Sequence, residues 1–265
     1  MTSLWLALAA KMASSAAVVV AASLIVERSG PVMGALVATL PISAGPAYVF
    51  LALDHTPEFL AKSALASLAV NVGTAPFILT YAILAQRSGL LLSLGCAFAV
   101  WLSLATLLTS LELGFGTIAG LTVLSYGGAY LLTRRYRKAL PRARARGRWW
   151  DLPARAATVM CVVAAVVLAG RWLGPRAAGI AALMPVVLTS LTLVLHPRAG
   201  GPATAAILAN SIPGMLGFTV GLATFYQTVV ALGSATALAL ALGISVAWNA
   251  ALLALNLRTA PRKLP

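Results

Sequence analysis

The chain has 265 residues, of which 61% are hydrophobic and 9% are charged, and its mean hydropathy is +0.96. This composition excludes a soluble globular protein, because a soluble core could not cover so much apolar surface, and it predicts a multi-pass protein of a lipid bilayer. A net charge of +14 could indicate a nucleic-acid partner. The basic residues concentrate beside a predicted membrane segment, however, where the positive-inside rule accounts for them, so we expect no nucleic-acid partner.

Charges, Gly/Pro clusters and turn residues cut the chain into apolar runs, and a run of about 20 residues is long enough to span a bilayer. The cuts predict an all-α polytopic membrane protein with about nine transmembrane helices. Their approximate ranges are 4–26, 31–53, 60–86, 90–111, 114–133, 154–172, 176–195, 203–230 and 234–257. The polar break at Glu112 is short, but without it the fourth and fifth helices would form one impossibly long span.

A basic loop follows the fifth predicted helix, and its cations are Arg134, Arg135, Arg137, Lys138, Arg142, Arg144, Arg146 and Arg148. Because Lys and Arg accumulate on the cytoplasmic side, we expect the loop and the C-terminus inside and the N-terminus outside, in the inner (plasma) membrane. Lys62, Arg171 and Arg176 then lie outside and depart from the rule. The loop either sets topology, with Trp149 and Trp150 as an interfacial anchor, or binds anionic lipid headgroups. Membrane lipids are the partners that we expect.

A pattern in the first half of the chain returns in the second half. The matching pairs are Lys11 with Arg155, Gly30 with Gly174, Pro31 with Pro175, Pro41 with Pro185, His55 with His196, Gly73 with Gly214, Phe77 with Phe218, Gln86 with Gln227 and Ser93 with Ser234. Predicted helices one to four thus correspond to helices six to nine, and helix five is a connector. An odd number of crossings separates equivalent points, so the sequence predicts two four-helix repeats of inverted topology, a recurring plan in transporters.

The domain boundaries follow from this repeat. We expect the first four-helix repeat at 1–112, the connector helix at 113–133, the basic cytoplasmic loop at 134–153, the second four-helix repeat at 154–257 and a basic cytoplasmic tail at 258–265.

Each copy has a first helix with one cation, then a Gly-rich start and a mid-helix Pro, then a third helix with Pro or Gly before an aromatic residue. The segments that carry this pattern are 34–41 and 179–185, together with 75–77 and 216–218. The pattern resembles the GlpM family of small four-helix inner-membrane proteins, over most of both halves but not over helix five or the basic loop. GlpM-like proteins are single units, whereas this chain looks like a fused pair. The resemblance implies an inner-membrane protein loosely tied to envelope polysaccharide production, and it supplies no catalytic residues.

Pro41 and Pro185 lie inside predicted helices, about 15 Å from the helix starts. Each proline removes one backbone hydrogen bond, and Ser43, Thr189 and Ser190 are close to it in sequence. Two interpretations remain open. The hydroxyl groups could compensate for a tolerated kink, or the breaks and the hydroxyl groups could together line a substrate pathway.

Two amides and two cations are the other candidate pathway residues. Asn71 and Asn210 lie in apolar runs, where an unpaired polar group costs several kcal/mol, so each must bond either to another helix or to a substrate. Lys11 and Arg155 lie near the start of the first helix of each copy. They either extend to lipid headgroups or place one positive charge at each mouth of a pathway, which would favour an anionic solute.

Catalytic, cofactor and metal motifs are missing from the sequence: it has no Walker loop, no dinucleotide Gly fingerprint and no metal-spaced His and Cys pair. The five acidic residues all lie at or near the ends of apolar runs, so no buried carboxylate is available for proton coupling. The sequence therefore predicts a small-solute permease or channel-like transporter without cofactor or metal, and not an enzyme. The alternatives are a non-transporting scaffold or accessory factor for envelope polysaccharide production and, less favoured, an integral membrane enzyme.

Overall fold

A computed structural model describes residues 12–14, 17, 44–138 and 151–259. Within these ranges the chain is helical and has no strand, which confirms the all-α prediction. The helices are α1 (Ala44–Asp54), α2 (Pro57–Asn71), α3 (Thr74–Leu84), α4 (Leu90–Ser110), α5 (Phe115–Leu132), α6 (Asp151–Leu173), α7 (Pro175–Ala182), α8 (Val186–Ala199), α9 (Gly201–Leu232) and α10 (Ser234–Thr259), with a 3-10 turn at Thr133–Tyr136 after α5.

Six helical segments of the described chain are long and apolar enough to cross a membrane. They are Pro57–Leu84, Leu90–Ser110, Phe115–Tyr136, Pro175–Ala199, Gly201–Leu232 and Ser234–Leu255. The chain thus has the make-up of a multi-pass membrane protein. Two further apolar helices, Ala44–Asp54 and Val163–Leu173, are shorter. The predicted span 4–26 and most of 31–53 lie outside the described residues, so the count of nine stays a prediction.

The spans predicted as single helices at 60–86 and 176–195 are each broken in the structure. The first break separates α2 from α3 at Val72 and Gly73, where tighter bonds to residues three positions earlier replace the helical pattern. The second separates α7 from α8 at Pro185, which has no N–H to continue the helix. Pro213, in contrast, lies inside an unbroken α9.

The short break at Glu112 is present. α4 ends at Ser110 and α5 begins at Phe115, as the sequence predicted. Glu112 has a φ of 49°, in the left-handed region that side chains other than Gly, Asn and Asp seldom adopt. The chain therefore reverses here within four residues.

The helix ends fall into two groups at opposite ends of the bundle. At the Lys62 face, named for that residue, Glu112 bonds to Arg176, and Phe115 stacks on Tyr226 near the end of α9. Three other ends lie at the Arg137 face: the end of α3, the end of α5 and the start of α9. Gly201, the first residue of α9, lies against the carbonyl oxygen of Ala85 after α3, and Asn210 of α9 contacts the backbone of Arg137 after α5. These contacts place the helix ends that make them at two opposite ends of the bundle, and the nine-helix, inverted-repeat topology stays a prediction.

Glycines allow the helices to approach closely. A Cβ added at Gly217 would lie 2.5 Å from Cδ1 of Trp248, and one added at Gly221 would overlap Ser245 and Ala241. These two glycines are four residues apart on α9 and face α10, an arrangement typical of close helix packing in membranes.

Candidate functional site

The two broken helices contact each other through small residues. The Ser67 hydroxyl on α2 donates to the carbonyl oxygen of Gly179 on α7 at 2.8 Å. In a regular helix that carbonyl would accept from Leu183, but the N–H of Leu183 bonds to Ile180 instead. Ser67 therefore satisfies an acceptor that the break leaves free. The contact is extended by Tyr48 of α1, whose hydroxyl lies 2.7 Å from the Ser67 hydroxyl.

A second group of polar contacts, the Asn71 cluster, lies at the end of α2. It consists of Asn71, Thr219 and Tyr126, all buried. The Asn71 amide donates to the Thr219 hydroxyl at 2.7 Å, and the Tyr126 hydroxyl donates to the Asn71 carbonyl oxygen at 3.1 Å. Beside it, the Ser125 hydroxyl donates to the carbonyl oxygen of Val72 at 2.7 Å. The cluster connects the first helix break to α5 and α9.

An unpaired donor lies next to the same break. The Trp101 side chain on α4 is 4% exposed, and its indole N–H has no hydrogen-bond partner. Its ring packs against Gly73, where an added Cβ would be 3.4 Å from Cδ1 of Trp101. Leaving a buried donor unsatisfied costs about 1–3 kcal/mol, so this region combines a backbone break with an open hydrogen-bonding position.

The predicted pathway residues separate into three groups. Asn71 and Pro185 lie at the two breaks. Thr189 and Ser190 donate to the carbonyl oxygens of Pro185 and Val187 in their own helix, at 2.6 and 2.9 Å, which fits the interpretation of a compensated kink. Asn210 is exposed and donates to the carbonyl oxygen of Arg137 at 3.2 Å, so it is not brought to the breaks.

Several predicted residues lie outside the described part of the chain. They are Lys11, Pro41, Ser43, Arg142, Arg144, Arg146 and Arg148. Arg155 is in α6, but its side chain is not described.

Two cations in the described part of the basic loop lie over tyrosine rings, and one of them is Arg135, whose guanidinium is 4.7 Å from the centroid of the Tyr136 ring. Arg137 donates to the carbonyl oxygen of Tyr130 at 2.7 Å, and its guanidinium lies over the Tyr130 ring at 3.6 Å. Arg134, Arg135 and Lys138 are exposed. Positive charge is therefore presented at the Arg137 face, close to the end of α5.

A cavity of about 270 Å³, the Lys62 cavity, opens at the opposite face. Sequence reasoning did not identify it. Its lining residues are Lys62, Leu65, Ala66, Ala69, Leu108, Thr109, Glu112, Leu113, Ile118, Pro175 and Arg176. The one available signal was that Lys62 and Arg176 depart from the positive-inside rule on the same predicted side. Among the described residues no group of three or more His, Cys, Asp or Glu side chains could hold a metal ion.

Comparison of the chain with protein-family models, curated proteins and solved structures gives no match. The resemblance to the GlpM family therefore stays a prediction from the sequence.

Proposed function

We propose that the chain is an inner-membrane permease or channel-like transporter for a small solute, without catalytic activity of its own. The observation that carries the proposal is the contact between two discontinuous helices at Ser67 and Gly179. Both breaks begin about one helical turn from this contact, at Asn71 and at Ala182. Non-helical backbone at membrane depth is tolerated where it is buried in protein or lines a cavity, and discontinuous helices commonly form the binding sites of transporters.

The proposed architecture is two four-helix repeats of inverted topology around a connector helix. His55 and His196, which the sequence pairs, support it because they lie at opposite ends of the bundle. An added Cβ at Gly170, beside the Lys62 face, would be 3.4 Å from the His55 ring, whereas His196 lies beside Gly201 at the Arg137 face. The copies differ at Gly73, where α2 ends, because the matching position lies within the unbroken α9.

The proposed pathway runs past the Asn71 cluster, between the two broken helices and α9. Lys11 and Arg155 would stand at its mouths and favour an anionic solute. The basic loop would bind anionic lipid headgroups on the cytoplasmic side.

Orientation is tested by single cysteines in a background lacking Cys96 and Cys161. With cysteines placed at Asp54, Arg87 and Arg198, a membrane-impermeant maleimide should label the first from outside and leave the other two protected. Labelling of Asp54→Cys and Arg198→Cys from the same side would contradict the inverted repeats.

Transport is tested with the protein reconstituted in vesicles, by valinomycin-dependent swelling in isotonic potassium salts of chloride, phosphate and benzenesulfonate. We expect uptake of at least one anion, and a loss of about tenfold or more for Asn71→Leu, which removes the amide at similar side-chain volume. Thr224→Val is the matched control, because the Thr224 hydroxyl bonds to its own helix at Val220. If folded protein passes none of these anions, an anion permease is ruled out.

One observation favours a scaffold as the second candidate. Asn71, Thr219 and Tyr126 bond to one another, which is the pattern of side chains used for helix packing. On that hypothesis Asn71→Leu lowers stability and leaves no transport to lose. An accessory factor for envelope polysaccharide production would instead be detected by a loss of polymer in cells that lack the chain.

A further inference from the structure

We propose that the Lys62 cavity binds a small anion that carries an apolar body, and that it is the outer entry site of the pathway. The role as an entry site rests on the proposed permease function, whereas binding of the anion can be measured without transport. Its ligand class follows from the distribution of charge and apolar surface within the cavity.

The rim of the cavity is charged and lies at the Lys62 face. Arg176 donates to Glu112 at 2.6 Å, and the two side chains are 55% and 73% exposed. Lys62 is exposed and has no ion-pair partner among the residues that the structure describes. Within the lining these three charged groups leave one net positive charge, which attracts a single anionic group, while Glu58, one turn before Lys62 on α2, is exposed and outside the lining.

The interior of the cavity is apolar. Leu65, Leu108 and Ile118 contribute to its walls, and Ala66 and Ala69 lie below the rim on α2. The Thr109 hydroxyl, also in the lining, bonds to its own helix at Ala105 and offers little to a ligand. Apolar protein cavities of about 150 Å³ bind benzene, so about 270 Å³ is enough for one aromatic ring or a short alkyl chain with its anionic head.

The cavity leads toward the broken helices. Ala66 is part of the cavity lining, and a Cβ added at Gly179 would lie 2.9 Å from its Cβ. The cavity wall therefore includes the contact between α2 and α7. Ala69 is two residues before Asn71, a rise of about 3 Å along the helix. The side chains of Ala69 and Asn71 are about 160° apart around the helix, so the cavity adjoins the proposed pathway through the contact of Ala66 with Gly179 and not through Asn71 itself.

The same geometry explains an exception in the sequence. Lys62 and Arg176 lie at the end of the bundle opposite Arg137, where the positive-inside rule predicts few cations. Arg176 is already paired with Glu112, so Lys62 is the cation of this rim for which attraction of an anionic ligand from the outer side supplies a reason.

Binding is tested by protection of a single cysteine from maleimide. The reporter is Thr109→Cys in a background lacking Cys96 and Cys161, and the control reporter is Thr117→Cys, exposed on the next helix and not part of the lining. The probes share one aromatic ring and differ in charge: benzenesulfonate, benzyl alcohol and benzyltrimethylammonium. We expect benzenesulfonate to slow labelling at Thr109→Cys and not at Thr117→Cys, benzyl alcohol to act more weakly and the cation not at all.

Charge variants give effects of opposite sign. Lys62→Gln should weaken benzenesulfonate binding about tenfold, the typical contribution of a charged hydrogen bond, and Arg87→Gln at the opposite face should leave it unchanged. Glu112→Gln should strengthen binding, because it removes the negative charge from the rim. Equal protection by all three probes, or weaker binding in both Lys62→Gln and Glu112→Gln, would overturn the proposal.

The anion could be a free solute or the headgroup of a lipid, and vesicle composition separates them. If vesicles with phosphatidylglycerol protect Thr109→Cys without any probe while phosphatidylcholine vesicles do not, the site binds an anionic lipid and is not the entry for a solute. If benzenesulfonate protects equally in both, the ligand is a free anion. Protection without vesicle swelling would refute the permease and leave the binding site intact, whereas swelling without protection would refute the site alone.

Discussion

Gly179→Ala is the sharpest test of the contact on which the proposed function rests. The added Cβ would overlap the carbonyl oxygen of Ser63 and lie 2.9 Å from Cβ of Ala66 and 3.0 Å from the Ser67 nitrogen. Two of these three obstacles are backbone atoms, which cannot rotate away, so α7 must move off α2. Overpacking of this kind costs about 1–3 kcal/mol, and we expect the upper end of that range.

The displacement also removes a hydrogen bond. Loss of the 2.8 Å hydrogen bond from Ser67 to the carbonyl oxygen of Gly179 lowers the free energy of unfolding by about 1 kcal/mol. Alanine recovers up to about 1 kcal/mol because it is the better helix former, and the net loss in the free energy of unfolding is about 3 kcal/mol. Ser67→Ala should cost about 1 kcal/mol alone, since it removes the bond without the overlap.

The assay is reversible unfolding of the protein in mixed micelles titrated with dodecyl sulfate, followed by circular dichroism. Gly120→Ala on α5 is the matched control, because its added Cβ meets nothing within 4 Å, and it should be neutral or stabilising by up to about 1 kcal/mol. If Gly179→Ala were as stable as Gly120→Ala, the close approach of the broken helices would be refuted, and the proposed pathway with it.

Three further predictions use the same titration. Tyr81→Phe should lower the free energy of unfolding by about 1–3 kcal/mol, because it leaves Nδ1 of His196 without the hydroxyl that lies 2.7 Å away; no change would mean that water replaces the bond. Gly217→Ala should lower the free energy of unfolding by about 1–3 kcal/mol through overlap with Trp248. Trp248→Ala should then cost less in the Gly217→Ala chain than in the parent chain, and strictly additive energies would contradict this coupling. Glu112→Gly should be neutral or stabilising by about 1 kcal/mol, since relief of the left-handed φ of 49° outweighs an exposed ion pair, whereas a clear loss would show that the pair matters more than the backbone.

Of the two amides that the sequence proposed for the pathway, one lies at a helix break and the other does not. Asn71 lies at a helix break, as a polar group in an apolar run can, but its partners could not be predicted because Thr219 and Tyr126 are 148 and 55 residues away along the chain. Asn210 carries the same local signal and yet bonds to the backbone of Arg137 at one end of the bundle. A polar residue in an apolar run predicts that its side chain forms a hydrogen bond, but it does not predict which residue is the partner.

The sequence indicates that Gly73 and Thr74, and likewise Pro213 and Gly214, thin or break a helix beside an amide, and only the first pair lies at a break. Glycine inside a membrane helix is common, and Gly214, the match of Gly73 in the second half, is accommodated in an unbroken helix. Whether the helix breaks at Gly73 depends on the residues around it. Trp101 packs against Gly73, and the Ser125 hydroxyl donates a hydrogen bond to the carbonyl oxygen of Val72. Proline alone does not decide the outcome either, because Pro185 lies at a break whereas Pro213, which lacks the same N–H, is accommodated within α9.

The sequence by itself determined the membrane class and the approximate ends of the long apolar segments from residue 90 onward, apart from the break inside 176–195. These properties depend on hydropathy and on local breaks in the chain, which each segment carries within itself. Only the tertiary structure decided that the two broken helices meet at Ser67 and Gly179, that Asn71 is satisfied by two other helices, and that Lys62 and Arg176 share one cavity. Those features arise from packing between distant segments, and in an apolar chain rich in small residues many pairings look equally favourable until the helices are in place.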